Sequence, residues 1–223
     1  MYICVMLSFT EENHLKAIFH LSNIDNKDVS TNAIAESLKT KAPSVTDMLQ
    51  KLSDKKLVTY KKYQGSFLTP IGRKTALNII RKHRLWEVFL VEKLGFNWSE
   101  VHEVAEQLEH IKSKKLIEQL DKFLDYPTKD PHGDPIPNTA GFIKYTNRAL
   151  LSDLEIGEKG KFIGVKDSSS AFLKFLDKRK IALGTNIEII YIEDFDNSIH
   201  IGLDETNLTI SIKSAQNIYV NKI

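Results

Sequence analysis

The sequence predicts a mainly α N-terminal part, containing a winged helix-turn-helix and further helices, followed by a small all-β, SH3-like barrel. Three observations predict it. Residues 30–69 read as helix, turn, helix and hairpin. Apolar residues then recur at helical spacing as far as residue 124. After Leu154 the pattern changes to short β-branched segments separated by Gly, Asp and Asn.

The first element is FTEENHLKAIFHLS, residues 9–22, in which Leu15, Ile18, Phe19 and Leu21 form an apolar face, with Thr10 read as the N-cap and Asn13 at N3. Beyond the polar NIDNKDVS, Ser30 or Thr31 caps a short helix to Leu38, and Thr40, Lys41 and Ala42 make a turn. Pro43, whose ring presets the helical φ, opens a second helix through Lys55. LVTYKKYQGSFLT supplies two short strands about Gln64-Gly65. In a winged helix-turn-helix the second helix enters the major groove and the hairpin lies along phosphates. Pro43, Ser44, Thr46 and Asp47 would then face the bases, while Lys41, Lys61 and Lys62 would meet phosphates. Plain helix packing gives the same geometry, and the exposed lysines favour DNA over it.

A long helix follows Pro70 and Gly72. After the break at 94–98, Ser99 is read as the cap of a helix over VHEVAEQLEHIK, residues 101–112, and KKLIEQLDKFL makes another. The proline-rich PTKDPHGDPIPN is neither helix nor central strand. The expected division is 1–75 for DNA binding, 76–139 for a helical domain, 140–151 for a linker and 152–223 for the β domain. In the last, KGKFIGVKD, NIEIIYIED, SIHIGLD, NLTISIK and AQNIYVNKI are the strands and SSAFLKFLDKRK a helical insert.

Composition narrows the class. The 223 residues are 42% hydrophobic and 27% charged, as in globular chains. A single cysteine, Cys4, excludes an internal disulfide framework and suits a reducing cytosol. MYICVML lacks the basic flank of a signal peptide, and no apolar run is long enough for a bilayer, so a cytoplasmic protein without membrane contact is expected. Residues 1–75 hold 11 Lys/Arg against 7 Asp/Glu, whereas residues 151–223 hold 9 against 11. The positive excess lies where DNA contact is expected.

Candidate chemistry centres on residues 101–112. His102, Glu106, Glu109 and His110 fall on one helical arc opposite Val101, Val104, Leu108 and Ile111. That is also the pattern of a solvated helix face, and the stretch alone leaves both readings open. Upstream, His83 and Glu87 share a face at i, i+4. Two successive helices offering imidazoles and carboxylates form a donor set of the kind that holds Mn, Fe, Co or Zn. An enzyme is not expected: EQLEH has Glu106 where the inverted zinc-protease motif needs His, and neither a nucleophile elbow nor a phosphate-binding glycine loop occurs. His14, His20, His132 and His200 read as ordinary surface or loop histidines, and Trp86, Phe89 and Trp98 as core or interface residues.

Taken together, APSVTDMLQKLSDKKLV, YQGSFLTPIGR, RKHRLWEVFLVEKLGF, EVHEVAEQLEHIKS and DPHGDPIP resemble, in order and over residues 9–137, the diphtheria-toxin-repressor and manganese-transport-regulator family in its three-domain form. The resemblance implies a metal-dependent repressor that binds a palindromic operator in double-stranded DNA as a homodimer, with apolar helices around 86–124 at the dimer interface. It places His83, Glu87 and His102 at an ancillary metal site. Glu106, Glu109, His110 and Asn13 fall at the activating site. Iron-responsive members have sulfur at the positions of Glu106 and Asn13, so oxygen ligands shift the expectation to Mn²⁺, with Fe²⁺ the alternative and Zn²⁺ or Co²⁺ as substitutes in vitro. Asn13 stands where the manganese branch has Asp. Lys16 stands where it has a Glu that helps bind a second ion, so a paired-manganese site is not expected. Ser168 and Ala171 stand where some members take two further ligands, and neither replaces them. The remaining alternative is a winged-helix regulator that needs no metal.

Overall fold

The computed structural model describes residues 7–22, 28–61, 64–144, 147–203 and 206–223. Its first helix, α1 (Phe9–Ser22), is capped two residues before the expected position. Ser8, not Thr10, closes it: Ser8 Oγ accepts the Glu11 amide at 3.3 Å and the Ser8 amide donates to Glu11 Oε2 at 2.9 Å. This reciprocal pair is favoured because it satisfies two amide donors at once.

Helix α2 (Thr31–Ser37) is capped by Ser30, whose side chain accepts from the Ala33 amide, and α3 (Ala42–Asp54) follows with Pro43 in its first turn. Strands β1 (Val58–Lys61) and β2 (Gly65–Leu68) pair antiparallel with Val58 opposite Leu68. Leu15, Ile18, Ile34, Val45, Leu49, Leu52 and Leu68 from these elements are almost fully buried in one apolar core. The helix-turn-helix and its wing are thus packed as the sequence predicts.

Helix α4 (Pro70–Leu94) is followed by α5 (Val101–Leu108) and α6 (Lys114–Phe123). Asn97, rather than Ser99, organises the start of α5: its side chain accepts the Ser99 amide at 2.8 Å while its own amide donates to Glu100 at 3.0 Å. Nor does α5 run to residue 112. It ends at Leu108, and Glu109 and His110 lie in the turn that follows. Ser113 Oγ already accepts the Leu116 amide to start α6, so the chain leaves one helix to enter the next.

The C-terminal sheet has the order β3-β8-β4-β5-β6-β7, all antiparallel, from β3 (Ala149–Leu150), β4 (Lys159–Val165), β5 (Asn186–Ile192), β6 (Ile199–Gly202), β7 (Asn207–Ile210) and β8 (Ile218–Lys222). This is an SH3-like arrangement around Phe162, Leu173, Leu176, Ile187, Ile201 and Val220, and α7 (Ser170–Lys178) is the expected insert. Two details differ from the sequence reading. Residues 149–150 of the expected linker form a strand on β8. The segment NLTISIK stops being a strand at Ile210, and Ser211 caps a short helix, α8 (Ile212–Ala215).

The chain divides into two compact units. One comprises residues 1–83, 106–118 and 137–143, and the other 84–105, 119–136 and 144–223.

Candidate metal centre and DNA-binding surface

In the unit that holds the winged helix, Glu109 is fully buried at the end of α5. Lys16 of α1 reaches it at 2.7 and 2.9 Å and also donates to Glu106 at 2.6 Å. His83 Nδ1 donates to Glu109 Oε2 at 2.6 Å. Burial alone would raise the Glu109 carboxyl, but the hydrogen bond from His83 and the charge of Lys16 outweigh it and hold the group below its ordinary value. Lys82 stands close enough to feel Glu12 and Glu109, yet burial draws its ammonium below the usual lysine range.

Also in this unit, His110 Nδ1 donates to Glu12 Oε2 at 2.6 Å, and its ring stacks on Phe9 with centroids 4.5 Å apart. The carboxylate fixes the proton on Nδ1 and turns Nε2 toward Glu109 Oε1, 3.9 Å away. Such a carboxylate–imidazole pair orients a metal ligand and makes it more basic. Asn13 Oδ1 is buried without a hydrogen-bond partner, a costly arrangement for an amide oxygen. An unsatisfied amide oxygen, an oriented imidazole nitrogen and two carboxylates fit a hard divalent cation.

The second unit holds Glu87 and His102. Glu87 is buried and His102 exposed, and His102 Nδ1 lies 3.5 Å from Glu87 Oε1. His83, which the resemblance places with them, bonds Glu109 within its own unit. His132 is an addition that sequence reasoning missed. It is buried, not a surface residue: Nε2 donates to the Trp98 carbonyl at 2.8 Å and Nδ1 faces Glu87 Oε1 at 3.7 Å. Burial disfavours its charge, but Glu87 and Asp130 outweigh this and push the imidazole up to about 9. Asp130 is itself raised, first by burial and then by Glu87, against Arg84 at 3.3 Å.

His14 is likewise buried, with Nδ1 donating to the Thr10 carbonyl at 2.7 Å, whereas His20 is exposed. A histidine between Pro131 and Gly133, or one on α1, carries no sequence mark that separates core from surface. Glu12 was missed for a related reason, since an acidic residue in a first helical turn already has an explanation in the helix dipole. Trp86 is buried and Trp98 packs against the apolar core of the second unit, as expected of structural aromatics.

Of the residues expected to meet DNA, Lys41, Pro43, Ser44, Asp47 and Lys61 are exposed and Thr46 is half-buried, its hydroxyl donating to the Ala42 carbonyl at 3.1 Å. Lys62 lies outside the described residues. Ser30, Asn32, Thr46, Tyr60 and Gln64 line a cleft of about 370 Å³ between the start of α2, α3 and the wing. Val45, Leu49 and Leu52 turn inward, so α3 presents its polar side outward.

A winged helix-turn-helix joined to a helical donor cluster and an SH3-like sheet defines a metal-dependent regulator of transcription. Residues 6–66 match the model described as "Iron dependent repressor, N-terminal DNA binding domain", residues 69–138 its "metal binding and dimerisation domain", and residues 149–222 the "FeoA domain". The chain belongs to the iron-dependent (diphtheria-toxin) repressor family. A structure described as "Manganese-dependent transcriptional repressor complex with manganese" is 30% identical with a TM-score of 0.86, over 96% of this chain and 100% of that one. The structure of ScaR with bound Cd²⁺ is 32% identical with a TM-score of 0.79, over 96% and 99%. The "Iron-dependent repressor IdeR" of Mycobacterium leprae is 34% identical over 128 residues, which are 57% of this chain and 55% of that protein. The chain therefore spans about half the length of the curated relatives it matches first.

Proposed function

We propose that this protein is a Mn²⁺-responsive repressor of metal-uptake genes that binds a palindromic operator as a homodimer. The observation that carries this reading is the buried, unpartnered Oδ1 of Asn13 on α1, in the same unit as the oriented His110 and the paired carboxylates of Glu106 and Glu109. Asn13, Glu106, Glu109 and His110 would hold the activating ion. When bound, a divalent cation supplies positive charge that both α1 and the end of α5 can share. Asn13 and the α5 residues would then favour one placement of α1, and with it of the helix-turn-helix packed on α1. Only a difference in affinity between the DNA-competent and incompetent states makes that tie regulatory.

The donor set is two carboxylates, an amide oxygen and one imidazole, without sulfur. It favours Mn²⁺ over softer ions, and Fe²⁺ is the nearest competitor. Pro43, Ser44, Thr46 and Asp47 would face base edges, with Lys41, Lys61 and Lys62 on phosphates. We assign DNA binding to residues 1–75, metal binding and dimerisation to 76–139, and the SH3-like domain to 152–223. Among the described residues no helix is long and apolar enough to cross a membrane.

Gel-shift titration of an operator fragment with Mn²⁺, Fe²⁺, Zn²⁺ and chelator tests the proposal. Wild-type protein should shift DNA at the lowest concentration with Mn²⁺ and release it in chelator. Glu106→Ala and His110→Ala should lose the stimulation while keeping their helical circular dichroism. Equal stimulation of the variants would refute the site, and full binding in chelator would refute metal dependence.

A further inference from the structure

Three successive residues near the start of α1 engage different parts of the winged-helix unit. Glu12 belongs with the metal seat, where its Oε2 accepts from His110 Nδ1 at 2.6 Å, and Asn13 Oδ1 is buried without a partner. Lys112, two residues past His110, donates to the Leu7 carbonyl at 3.1 Å, so the same turn also grips the chain just ahead of α1. Glu11 is directed elsewhere. Its Oε1 accepts from Lys55 Nζ, at the end of α3, at 2.6 Å. Neighbouring helical residues point about 100° apart, so one turn of α1 can serve both partners.

Both ends of this ion pair are fixed. Glu11 is buried, and its second oxygen, Oε2, accepts the Ser8 amide at 2.9 Å, which clamps the carboxylate into the cap of α1. Lys55 is the C-cap of α3. Lys56 follows in the left-handed region at φ +59°, and the Leu57 amide returns to the Leu52 carbonyl at 3.0 Å, closing the helix end. The ammonium also stands at the negative end of the α3 dipole. Elsewhere Leu15 and Ile18 of α1 share an apolar core with Val45, Leu49 and Leu52 of α3. Apolar burial is non-directional and holds two helices together without fixing their register. A short ion pair clamped at both ends does fix it.

We propose that the Glu11–Lys55 ion pair is the coupling element through which an ion held against α1 reaches the recognition helix α3. Glu11 and Lys55 are positioning residues, which act by holding two helices in register rather than by binding the ion. The proposal rests on reading the chain as a metal-responsive repressor whose activating ion engages α1.

The test measures operator affinity of the full-length chain by fluorescence anisotropy, once with saturating Mn²⁺ and once in chelator. The ratio of the two constants is the coupling. Glu11→Gln keeps an acceptor for the Ser8 amide but removes the charge that holds Lys55. Lys55→Met removes the ammonium from the half-exposed end of the pair, and serves alone should Glu11→Gln fail to fold. Each should lower the ratio roughly fivefold or more. The double variant should lower it no further, because both changes break one interaction. Lys55→Arg keeps the pair and should keep the ratio. Calorimetric Mn²⁺ affinity without DNA should stay near wild type throughout. A lost phosphate contact would weaken both constants alike and leave the ratio unmoved. Unchanged ratios in the single variants overturn the proposal, as do losses that add in the double variant or a collapse of Mn²⁺ affinity. A wild-type ratio near unity overturns the metal-responsive reading and this one with it, whereas a responsive wild type with equally responsive variants overturns this one alone.

Discussion

Glu109 and Glu87 are both buried carboxylates with imidazoles beside them, and they are neutralised by different means. A lysine does it for Glu109: Lys16 lies 2.7 Å away and also binds Glu106, while His83 closes the other oxygen. Around Glu87 two imidazoles stand at longer range, and the nearby guanidinium of Arg84 is spent on Asp130 and Asp134. An ammonium cannot leave its side chain, whereas an imidazole can give up a proton and bind a metal. The Glu109 cluster is therefore tied together by an internal cation, and an incoming ion must compete with it. The Glu87 cluster is held by its loop and by imidazoles, whose charge can be given up with a proton.

The sharpest way to break the comparison is to neutralise Glu109. Glu109→Gln leaves Lys16 and His83 facing a buried amide, and removing one partner of a buried pair typically costs about 3–5 kcal/mol. Urea denaturation of the metal-free protein should register this loss, and operator binding should no longer respond to Mn²⁺. Glu87→Gln should cost clearly less, because its imidazole partners can shed charge. Equal losses in the two variants would mean that lysine and imidazole neutralise these carboxylates alike.

Much of this arrangement was legible in the sequence. The helix-turn-helix, the wing, the long α4 and all five expected strands of the β domain follow from periodicity and turn residues. Glu109 and His110 are buried past the end of α5, and half-exposed Glu106 shares the Lys16 ammonium with Glu109. What escaped depends on tertiary contact. The pairing of Lys16 with two glutamates about ninety residues away has no local signature. Nor does the bond from His83 to Glu109, because i, i+4 spacing marks only the neighbour on the same helix, Glu87. The strand at Ala149–Leu150 is too short to show a period of two. His132 looked like loop furniture because its environment is built by Trp98, Glu87 and β4, all distant in sequence.

Lys16→Met sharpens the same contrast with a smaller effect. The ammonium takes up lone pairs on Glu106 and Glu109 that a divalent cation would use, and it repels that cation at short range. At an effective dielectric of about 20, unit charges about 4 Å apart interact by roughly 4 kcal/mol, and solvent at half-exposed Glu106 reduces that. Calorimetric titration with Mn²⁺ should show the variant binding on the order of tenfold tighter than wild type, with the metal-free protein less stable. Unchanged or weaker binding would mean that Lys16 supports the ion rather than competing with it.

The smallest effect concerns Phe9. Its ring stacks on His110 at 4.5 Å with an interplanar angle of 21°, yet Phe9 itself is 60% exposed. An exposed phenylalanine at the first position of a helix has little burial to gain, so its worth lies in holding the imidazole that Glu12 has already oriented. Aromatic pairs contribute about 0.5–1.5 kcal/mol beyond area. Phe9→Ala should therefore cost no more than about 1 kcal/mol in urea, within that range. Mn²⁺ affinity should fall only a few-fold, because Glu12 still fixes the His110 proton on Nδ1. Glu12→Gln keeps the stack but weakens the acceptor, and should cost more affinity than Phe9→Ala. If the order is reversed, His110 is positioned by stacking and not by its carboxylate, and the Glu109 cluster would depend on ring packing where the Glu87 cluster depends on the loop.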